Sequence, residues 1–153
     1  MKLNPGHSYQ FEVRATDNAG NVSGFTAGSA FTLSAFQETA SAITYSSGWT
    51  KQAVAGAYGG SVKFATVAGK TATFSFTGSQ VAWVATKGTN RGSATAKLDG
   101  GAAATVNTHG SALKTAMVVY TKTVTAGAHS LLLNVLGTSG HPRVDVDAFL
   151  VIH

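Results

Sequence analysis

The sequence predicts an all-β protein whose strands form a β-sandwich or jelly roll. Apolar residues never recur at i, i+3, i+4 and i+7 for three turns, so no amphipathic helix is predicted. Short segments of alternating apolar and polar residues recur instead, separated by glycine, asparagine and aspartate. Charged residues make up 11% of the 153-residue chain, against about 25% in an average soluble protein. Many short strands joined by glycine-containing turns are typical of a sandwich or jelly roll.

The N-terminal segment predicts a β-hairpin. Tyr9, Phe11 and Val13 alternate with polar residues, which predicts a half-buried strand. The residues DNAGN at 17–21 predict a turn, and a second strand follows at 29–33. Because a two-stranded hairpin is marginally stable alone in water, we expect this segment to dock on the rest of the chain or to pair with another chain.

Eight further segments predict the strands of the sandwich. Turn signals separate them, among them TGS at 77–79, DGG at 99–101 and TAG at 125–127. In each segment apolar and polar residues alternate or a short apolar run occurs. The predicted strands are 61–66, 71–77, 80–86, 94–98, 103–107, 116–124, 130–136 and 143–152.

Composition argues against several functional classes. The net charge of +5 arises from a scarcity of acidic residues, and the lysines and arginines are spread along the chain, so we expect no nucleic-acid partner. No apolar run reaches 18 residues, so no membrane insertion is expected. Cysteine is absent, which excludes disulfides and thiolate metal sites. The first residues lack the apolar core of a signal peptide, so an exported protein would have its leader outside this sequence.

Catalysis is not expected. Glycoside hydrolysis generally requires two carboxylates about 5–9.5 Å apart, and the acids between residues 39 and 152 are Asp99, Asp145 and Asp147. Asp99 belongs to an Asp-Gly-Gly hairpin turn, where its role is in backbone geometry. The chain has no Gly-x-Ser-x-Gly nucleophile motif and no histidine pair with metal-ligand spacing.

The stretch LNPGHSYQFEVRATDNAGNVS resembles the end of a fibronectin type III domain. The L-x-P-G-x-x-Y pattern at 3–9 matches the corner before a strand, and residues 13–23 match the final hairpin. Only the last two strands of such a domain are covered. The resemblance implies a fibronectin type III fragment at 1–34 and a separate module at 35–153.

Five phrases in the second segment resemble the galactose-binding-like β-sandwich modules, which are related to the family 6 and family 35 carbohydrate-binding modules. In chain order they are YSSGW, AYGGS, FSFTGSQVAW, RGSATAKLDG and VDAFLV. Such modules are appendages of secreted bacterial glycosidases and surface proteins. The resemblance therefore implies a secreted, extracellular bacterial protein with neighbouring domains in a longer chain, and a carbohydrate as partner.

The loop after the strand that contains Trp83 is a candidate sugar-binding site. Lys87, Asn90 and Arg91 lie in it, bounded by glycines at 88 and 92. A rigid sheet can hold such a loop so that its cations and amide bind sugar hydroxyls or a carboxylate. The alternative is an ordinary solvated turn.

Three further residues join this candidate site through the resemblance. It places the segment around Trp49 near the ligand-binding edge, where Trp49 and Tyr58 would offer ring faces to a sugar. The alternative is that these rings close the bottom of the sandwich. Arg143 opens the last strand and would join Arg91 and Lys87, so that an acidic sugar could be bound in a bidentate manner; otherwise Arg143 lies in a surface loop.

The resemblance also implies a structural calcium site. In the related modules an acidic residue on the last strand and another near the domain start bind Ca²⁺, which corresponds here to Asp147 and Glu38 with backbone carbonyls. This chain departs from the pattern because it lacks a paired Glu-x-Glu at the domain start. The alternative is that Asp147 accepts hydrogen bonds from backbone N–H groups or from Trp49.

Three functions follow from these features. The first is a non-catalytic carbohydrate-binding accessory module of a larger secreted protein. The second is a structural or adhesive spacer without a ligand. The third is a protein–protein module, or a dimer, that uses the unpaired edge of the N-terminal hairpin for strand addition.

Overall fold

The computed structural model describes residues 3–153, which form short and long strands and one 3₁₀ turn at Tyr58–Gly60. No helix in this part of the chain is long and apolar enough to cross a membrane. The strands are β1 His7–Tyr9, β2 Glu12–Val13, β3 Thr26–Ala27, β4 Phe31–Gln37, β5 Ile43–Tyr45, β6 Thr50–Ala53, β7 Ser61–Ala65, β8 Thr71–Lys87, β9 Ser93–Leu98, β10 Ala103–Asn107, β11 Lys114–Val135, β12 Val144–Val146 and β13 Ala148–Ile152.

Strands β8 and β11 are each longer than predicted. The turn signals at 77–79 and 125–127 lie inside these strands, because the glycines there permit a bend of a paired ribbon. The pairing of β11 with β8 shifts register between Thr123 and Gly127, which is a bulge that bends the strand. At Gly78 an added Cβ would lie 2.6 Å from the carbonyl oxygen of Ile152, so this close approach requires glycine.

The bend folds the β8–β11 ribbon back on itself. Phe149 of β13 is the register partner of Trp83 in β8, yet its ring stacks on Phe74 of the same strand with centroids 4.4 Å apart. A straight strand would separate Phe74 from Trp83 by roughly 30 Å. The two halves of β8 therefore lie in opposite layers and face each other across the core.

The layers follow from the pairing. One contains β1, β4, β13, the second half of β8 and the first half of β11; the other contains β5, the remaining halves of β8 and β11, β9 and β10. A further sheet has the order β12–β7–β6. The predicted all-β sandwich is confirmed. Its largest fully buried apolar side chains are Trp83, Phe74, Phe149, Leu131 and Leu133.

The N-terminal segment docks on the sandwich through one strand. β1 pairs with β4, which pairs with β13, so β4 crosses the predicted boundary between residues 34 and 35. The next strands, β2 and β3, pair only with each other, and four apolar side chains in or beside them are exposed: Phe11, Val13, Val22 and Phe25. The prediction that Phe11 and Val13 belong to a half-buried strand is therefore wrong. The fibronectin type III assignment and the dimer remain predictions.

The Asp-Gly-Gly turn has the geometry that the sequence predicts. Asp99 and Gly100 have φ angles of 48° and 72°, and the Gly101 N–H donates to the Leu98 carbonyl at 2.8 Å. Two positive φ angles define a type I′ hairpin turn, whose twist matches that of the flanking strands. Residues 99–102 connect β9 to β10, and the first pair of the ladder is Ala103 with Lys97.

The side chain of Asp99 also binds His129. His129 Nδ1 lies 2.7 Å from Asp99 Oδ2, and Nε2 lies 2.8 Å from the Thr125 carbonyl oxygen. Both partners are acceptors, so both ring nitrogens donate when the imidazole is protonated. The hydrogen bond to Asp99 is the largest of the effects that raise the pKa of His129 above 6.5. The pair ties the hairpin turn to the bulge in β11.

This pair predicts a pH dependence of stability. Its contribution is fully present below the unfolded histidine pKa of 6.5 and is lost as pH rises through the higher folded pKa. The melting temperature of the wild type should therefore fall between about pH 5 and about pH 9 by an amount that depends on His129. We expect this part of the fall to be absent in His129→Gln. His7→Gln, at an exposed histidine on β1, should leave it unchanged. Parallel pH curves for the wild type and His129→Gln would contradict the assignment.

Candidate functional site

Two arginines and one aspartate form a buried ion-pair cluster at one end of the sandwich. Arg91 Nε lies 2.9 Å from Asp145 Oδ2, and Arg143 Nε lies 2.6 Å from Asp145 Oδ1. The Asp145 side chain is fully buried, and the hydroxyl of Thr86 also donates to it. A buried carboxylate needs such partners, because its desolvation is otherwise very costly. We call Arg91, Arg143 and Asp145 the arginine–aspartate cluster.

The backbone brings the two arginines together. Arg91 and Arg143 form an isolated bridge, in which the Gly92 N–H donates to the Arg143 carbonyl at 2.8 Å. Arg143 Nη1 also donates to Gln52 Oε1 at 2.7 Å. Its guanidinium lies over the Phe64 ring, 3.9 Å from the centroid. The predicted meeting of Arg143 with Arg91 is therefore observed, while its meeting with Lys87 stays a prediction.

Most donors of the cluster are occupied within the protein. Arg91 is only 7% exposed, and its Nη1 donates to the side-chain oxygen of Asn90. Arg143 Nη2 is buried and has no hydrogen-bond partner within residues 3–153. The cluster thus holds the loop in place and gives this end of the sandwich a positive charge, while a direct role in ligand binding remains a prediction for both arginines.

Asn90 and Lys87 are the more accessible predicted residues of the loop. Asn90 is exposed, and Lys87 is partly exposed at the end of β8. Lys87 lines a pocket of about 210 Å³ together with Lys114, His109 and Met117. Lysine and amide side chains can donate to sugar hydroxyls or to an anion, so the loop presents donors to solvent.

Trp49 and Tyr58 contact other parts of the sandwich. Trp49 packs against Tyr45 with ring centroids 5.1 Å apart, and its Nε1 is buried with no partner among the described residues. Tyr58 lies in the 3₁₀ turn and lines a cavity of about 360 Å³ that Leu3 also borders. Less than half of each side chain is exposed, so a sugar can stack only on the accessible part of either ring.

Glu38 and Asp147 lie side by side, although they are far apart in the sequence. The Glu38 N–H donates to the Asp147 carbonyl at 3.0 Å, and the two residues are 1% and 0% exposed. Glu38 Oε1 accepts from Ser61 Oγ at 2.5 Å, and Asp147 Oδ2 accepts from the Tyr58 N–H at 3.2 Å. The backbone hydrogen bond that was the alternative role for Asp147 is thus present, whereas Trp49 Nε1 makes no hydrogen bond within the described residues.

One oxygen of each carboxylate has no partner. Glu38 Oε2 and Asp147 Oδ1 are buried and lack a hydrogen bond within the described chain. Burial is the largest effect that raises the pKa of Asp147, to about 6, and the Glu38 charge adds to it. Buried carboxylate oxygens without donors fit a hard cation such as Ca²⁺. Residues 3–153 contain no group of three or more His, Cys, Asp or Glu residues placed for a metal, so the remaining ligands would be backbone carbonyls or water.

Sequence reasoning missed the partnership of Asp145 with both arginines, and it missed Lys114 and His109. The V-D-V-D alternation predicts that the Asp145 side chain points to the face opposite the valines. It does not predict which residues Asp145 contacts there. Lys114 opens β11 outside the predicted strand at 116–124, and no pattern in the sequence relates it to Lys87. These residues meet only through long-range pairing.

The fold is shared with domains of carbohydrate-active proteins. Neither a protein-family model nor a curated protein matches the sequence. Among solved structures, a two-domain esterase active on acetylated mannans matches 78% of this chain and 36% of its own, at 12% identity and a TM-score of 0.64. The Podospora anserina GH26-CBM35 β-(1,4)-mannanase matches 79% of this chain and 28% of its own, at 12% identity and a TM-score of 0.56.

A third solved structure is a single domain, and almost all of that domain matches this chain. It is the CBM36-1 domain of a multidomain xylanase from the hindgut metagenome of Trinervitermes trinervoides, with 79% of this chain and 96% of that domain matched, 16% identity and a TM-score of 0.51. The chain spans only about a third of the esterase. At these identities the likeness shows the β-sandwich fold.

Proposed function

We propose that this chain is a non-catalytic carbohydrate-binding module of a larger secreted protein. The observation that carries the proposal is the end of the sandwich where the arginine–aspartate cluster locks the 88–92 loop and leaves Asn90 and Lys87 accessible. Binding sites of this type need a few polar groups held on a rigid scaffold. The shared fold with carbohydrate-active proteins supports the same assignment.

The state of the acidic side chains supports a non-catalytic role. Asp145 is engaged by two arginines, and Asp99 is engaged by His129 and the Ser130 N–H. Glu38 and Asp147 are buried next to each other. Hydrolysis of a glycosidic bond needs an acid and a base or nucleophile on either side of an accessible sugar, and the carboxylates of the described sandwich do not offer such a pair.

A calcium ion is part of the proposal. Glu38 Oε2 and Asp147 Oδ1 would hold it, with backbone carbonyls or water as further ligands. When bound, the ion would supply positive charge next to these two oxygens. Lys51 Nζ already lies 3.4 Å from the other Glu38 oxygen, Oε1, so the uncompensated charge lies mainly on Asp147. Glu38 follows β4 and Asp147 precedes β13. The residues therefore hold together two strands that also pair with each other, which is a structural role.

A glycan array followed by calorimetry with the glycans that bind tests the proposal. We expect Asn90→Ala and Trp49→Ala each to weaken binding about tenfold, equivalent to about 1.4 kcal/mol. Phe25→Ala is the matched control for Trp49, because it removes an exposed ring from the β2–β3 ribbon and should not change affinity. Absence of binding to neutral and acidic glycans, with and without calcium, would contradict a carbohydrate-binding role.

A structural or adhesive spacer is the second candidate. The observation that favours it is the internal use of the predicted ligand groups: Arg91 and Arg143 bind Asp145, and less than half of Trp49 and of Tyr58 is exposed. A spacer would give the negative array result while remaining stably folded.

A further inference from the structure

Two lysines oppose each other at the end of the β8–β11 ribbon. Lys114, the first residue of β11, is the register partner of Lys87, the last residue of β8. Like charges directly opposite on neighbouring strands destabilise a sheet. An anion bound between the two ammonium groups would convert this repulsion into attraction.

The loop after β10 completes a pocket around these lysines. The Gly110 N–H donates to the Gly88 carbonyl at 3.1 Å, and His109 forms a bridge with Gly88, which fixes the loop on the end of β8. The His109 ring also packs against His141, with centroids 4.5 Å apart. The pocket measures about 210 Å³ and is lined by Lys87, His109, Gly110, Ser111, Ala112, Lys114 and Met117.

The pocket has an uncompensated positive charge. No aspartate or glutamate is among its lining residues. The Gly88 carbonyl accepts from both the Arg91 N–H and the Gly110 N–H, each at 3.1 Å, so the backbone of the 88–92 loop is tied to the loop that lines the pocket. The arginine–aspartate cluster in that loop has two guanidinium groups and one carboxylate, so it brings no excess negative charge to this region. An anion is the complementary ligand.

We propose that this pocket binds the anionic group of an acidic saccharide, a carboxylate or a sulfate ester. The inference rests on the proposed carbohydrate-binding function, and it specifies the class of sugar and adds Lys114 and His109 to the site. The pocket is smaller than those that enclose whole drug-sized ligands, which measure roughly 300–1,000 Å³. The pocket therefore fits a charged substituent of a saccharide and not a whole sugar chain.

Calorimetric titration with three short oligosaccharides of equal length tests this. They are an oligogalacturonate, a sulfated galacto-oligosaccharide and the neutral galacto-oligosaccharide. We expect the charged ligand to bind about tenfold or more tightly than the neutral one, and Lys87→Gln with Lys114→Gln to abolish this preference. The control double variant, Lys97→Gln with Lys122→Gln, removes the same charge from β9 and from the middle of β11 and should retain the preference.

Each outcome decides the matter. Equal losses in both double variants would mean general attraction of polyanions to a protein of net charge +5, and would overturn the pocket. Binding of the neutral sugar without preference for a charged one would overturn this inference and leave the proposed function intact, whereas no binding of any sugar would overturn both. The two charged ligands distinguish carboxylate from sulfate.

Melting temperatures show that the variants fold, and the pocket variant should be at least as stable as the wild type, because it loses the Lys87–Lys114 repulsion.

Discussion

Replacement of Asp145 by alanine is expected to lower the free energy of unfolding by about 3–5 kcal/mol. The variant would leave Arg91 and Arg143, with side chains 8% and 11% exposed, without their counter-charge. Without the carboxylate, the two buried guanidinium groups repel each other. Water must then enter this end of the sandwich to solvate them. The loss therefore exceeds that expected for a surface ion pair, which is typically below about 1 kcal/mol.

Urea denaturation of the variant measures this loss. Glu12→Ala, at an exposed glutamate on β2, is the control for removal of an acid and should change stability by less than about 0.5 kcal/mol. A double-mutant cycle with Arg91→Ala measures the coupling energy between Asp145 and Arg91. The double variant should lose less stability than the sum of the two single losses. A small effect of Asp145→Ala together with additive losses would show that the cluster is not a coupled unit.

Calcium is expected to raise the free energy of unfolding by about 2.7 kcal/mol when its concentration is about 100 times the dissociation constant. The physical reason is that the ion binds the folded state, in which Glu38 and Asp147 each have a buried oxygen without a donor. The measurement is the urea midpoint in calcium and in a chelator. Magnesium is the control, because its preference for tight octahedral coordination and retained water does not suit a site with only two carboxylates.

Asp147→Asn should distinguish the stabilisation by calcium from the pH effect of the buried carboxylate. The pKa of Asp147 is raised to about 6 from an unfolded value of 3.8, so the folded state holds the proton more tightly and the protein loses stability as pH rises between these values. Asparagine carries no charge and can donate to Glu38. Above about pH 6, in chelator, the variant should be at least as stable as the wild type. It should gain nothing from calcium, whereas an equal gain in both proteins would contradict the assignment.

Local patterns in the sequence predicted much of the fold. The alternation of apolar and polar residues identified most strands of the sandwich, and the predicted strand at 103–107 has the same limits as β10. The Asp-Gly-Gly turn was readable because the positive φ angles of a type I′ turn are available mainly to such residues. Strands β5 and β6 were not predicted, since segments of 3 and 4 residues are too short to show a period.

The candidate site was predicted less completely. The loop with Lys87, Asn90 and Arg91 was proposed because charged residues are rare in this chain and two cations share one short loop. Glu38 and Asp147 were proposed through a family resemblance. The partner of the arginines was not found. Arg91 and Asp145 are separated by 54 residues, and no local pattern reports a contact over such a distance.

By itself the sequence determined that this protein is built of strands, where most of them lie and where the hairpin between β9 and β10 turns. These properties depend on the conformational preferences of neighbouring residues, which act within a few positions of the chain. Only the tertiary structure decided that β8 and β11 continue through their glycines and fold over the core, that Asp145 is bound by Arg91 and Arg143, and that Lys87 faces Lys114. Those outcomes depend on strand register and on the desolvation of distant charges, and both arise only when remote segments are packed together.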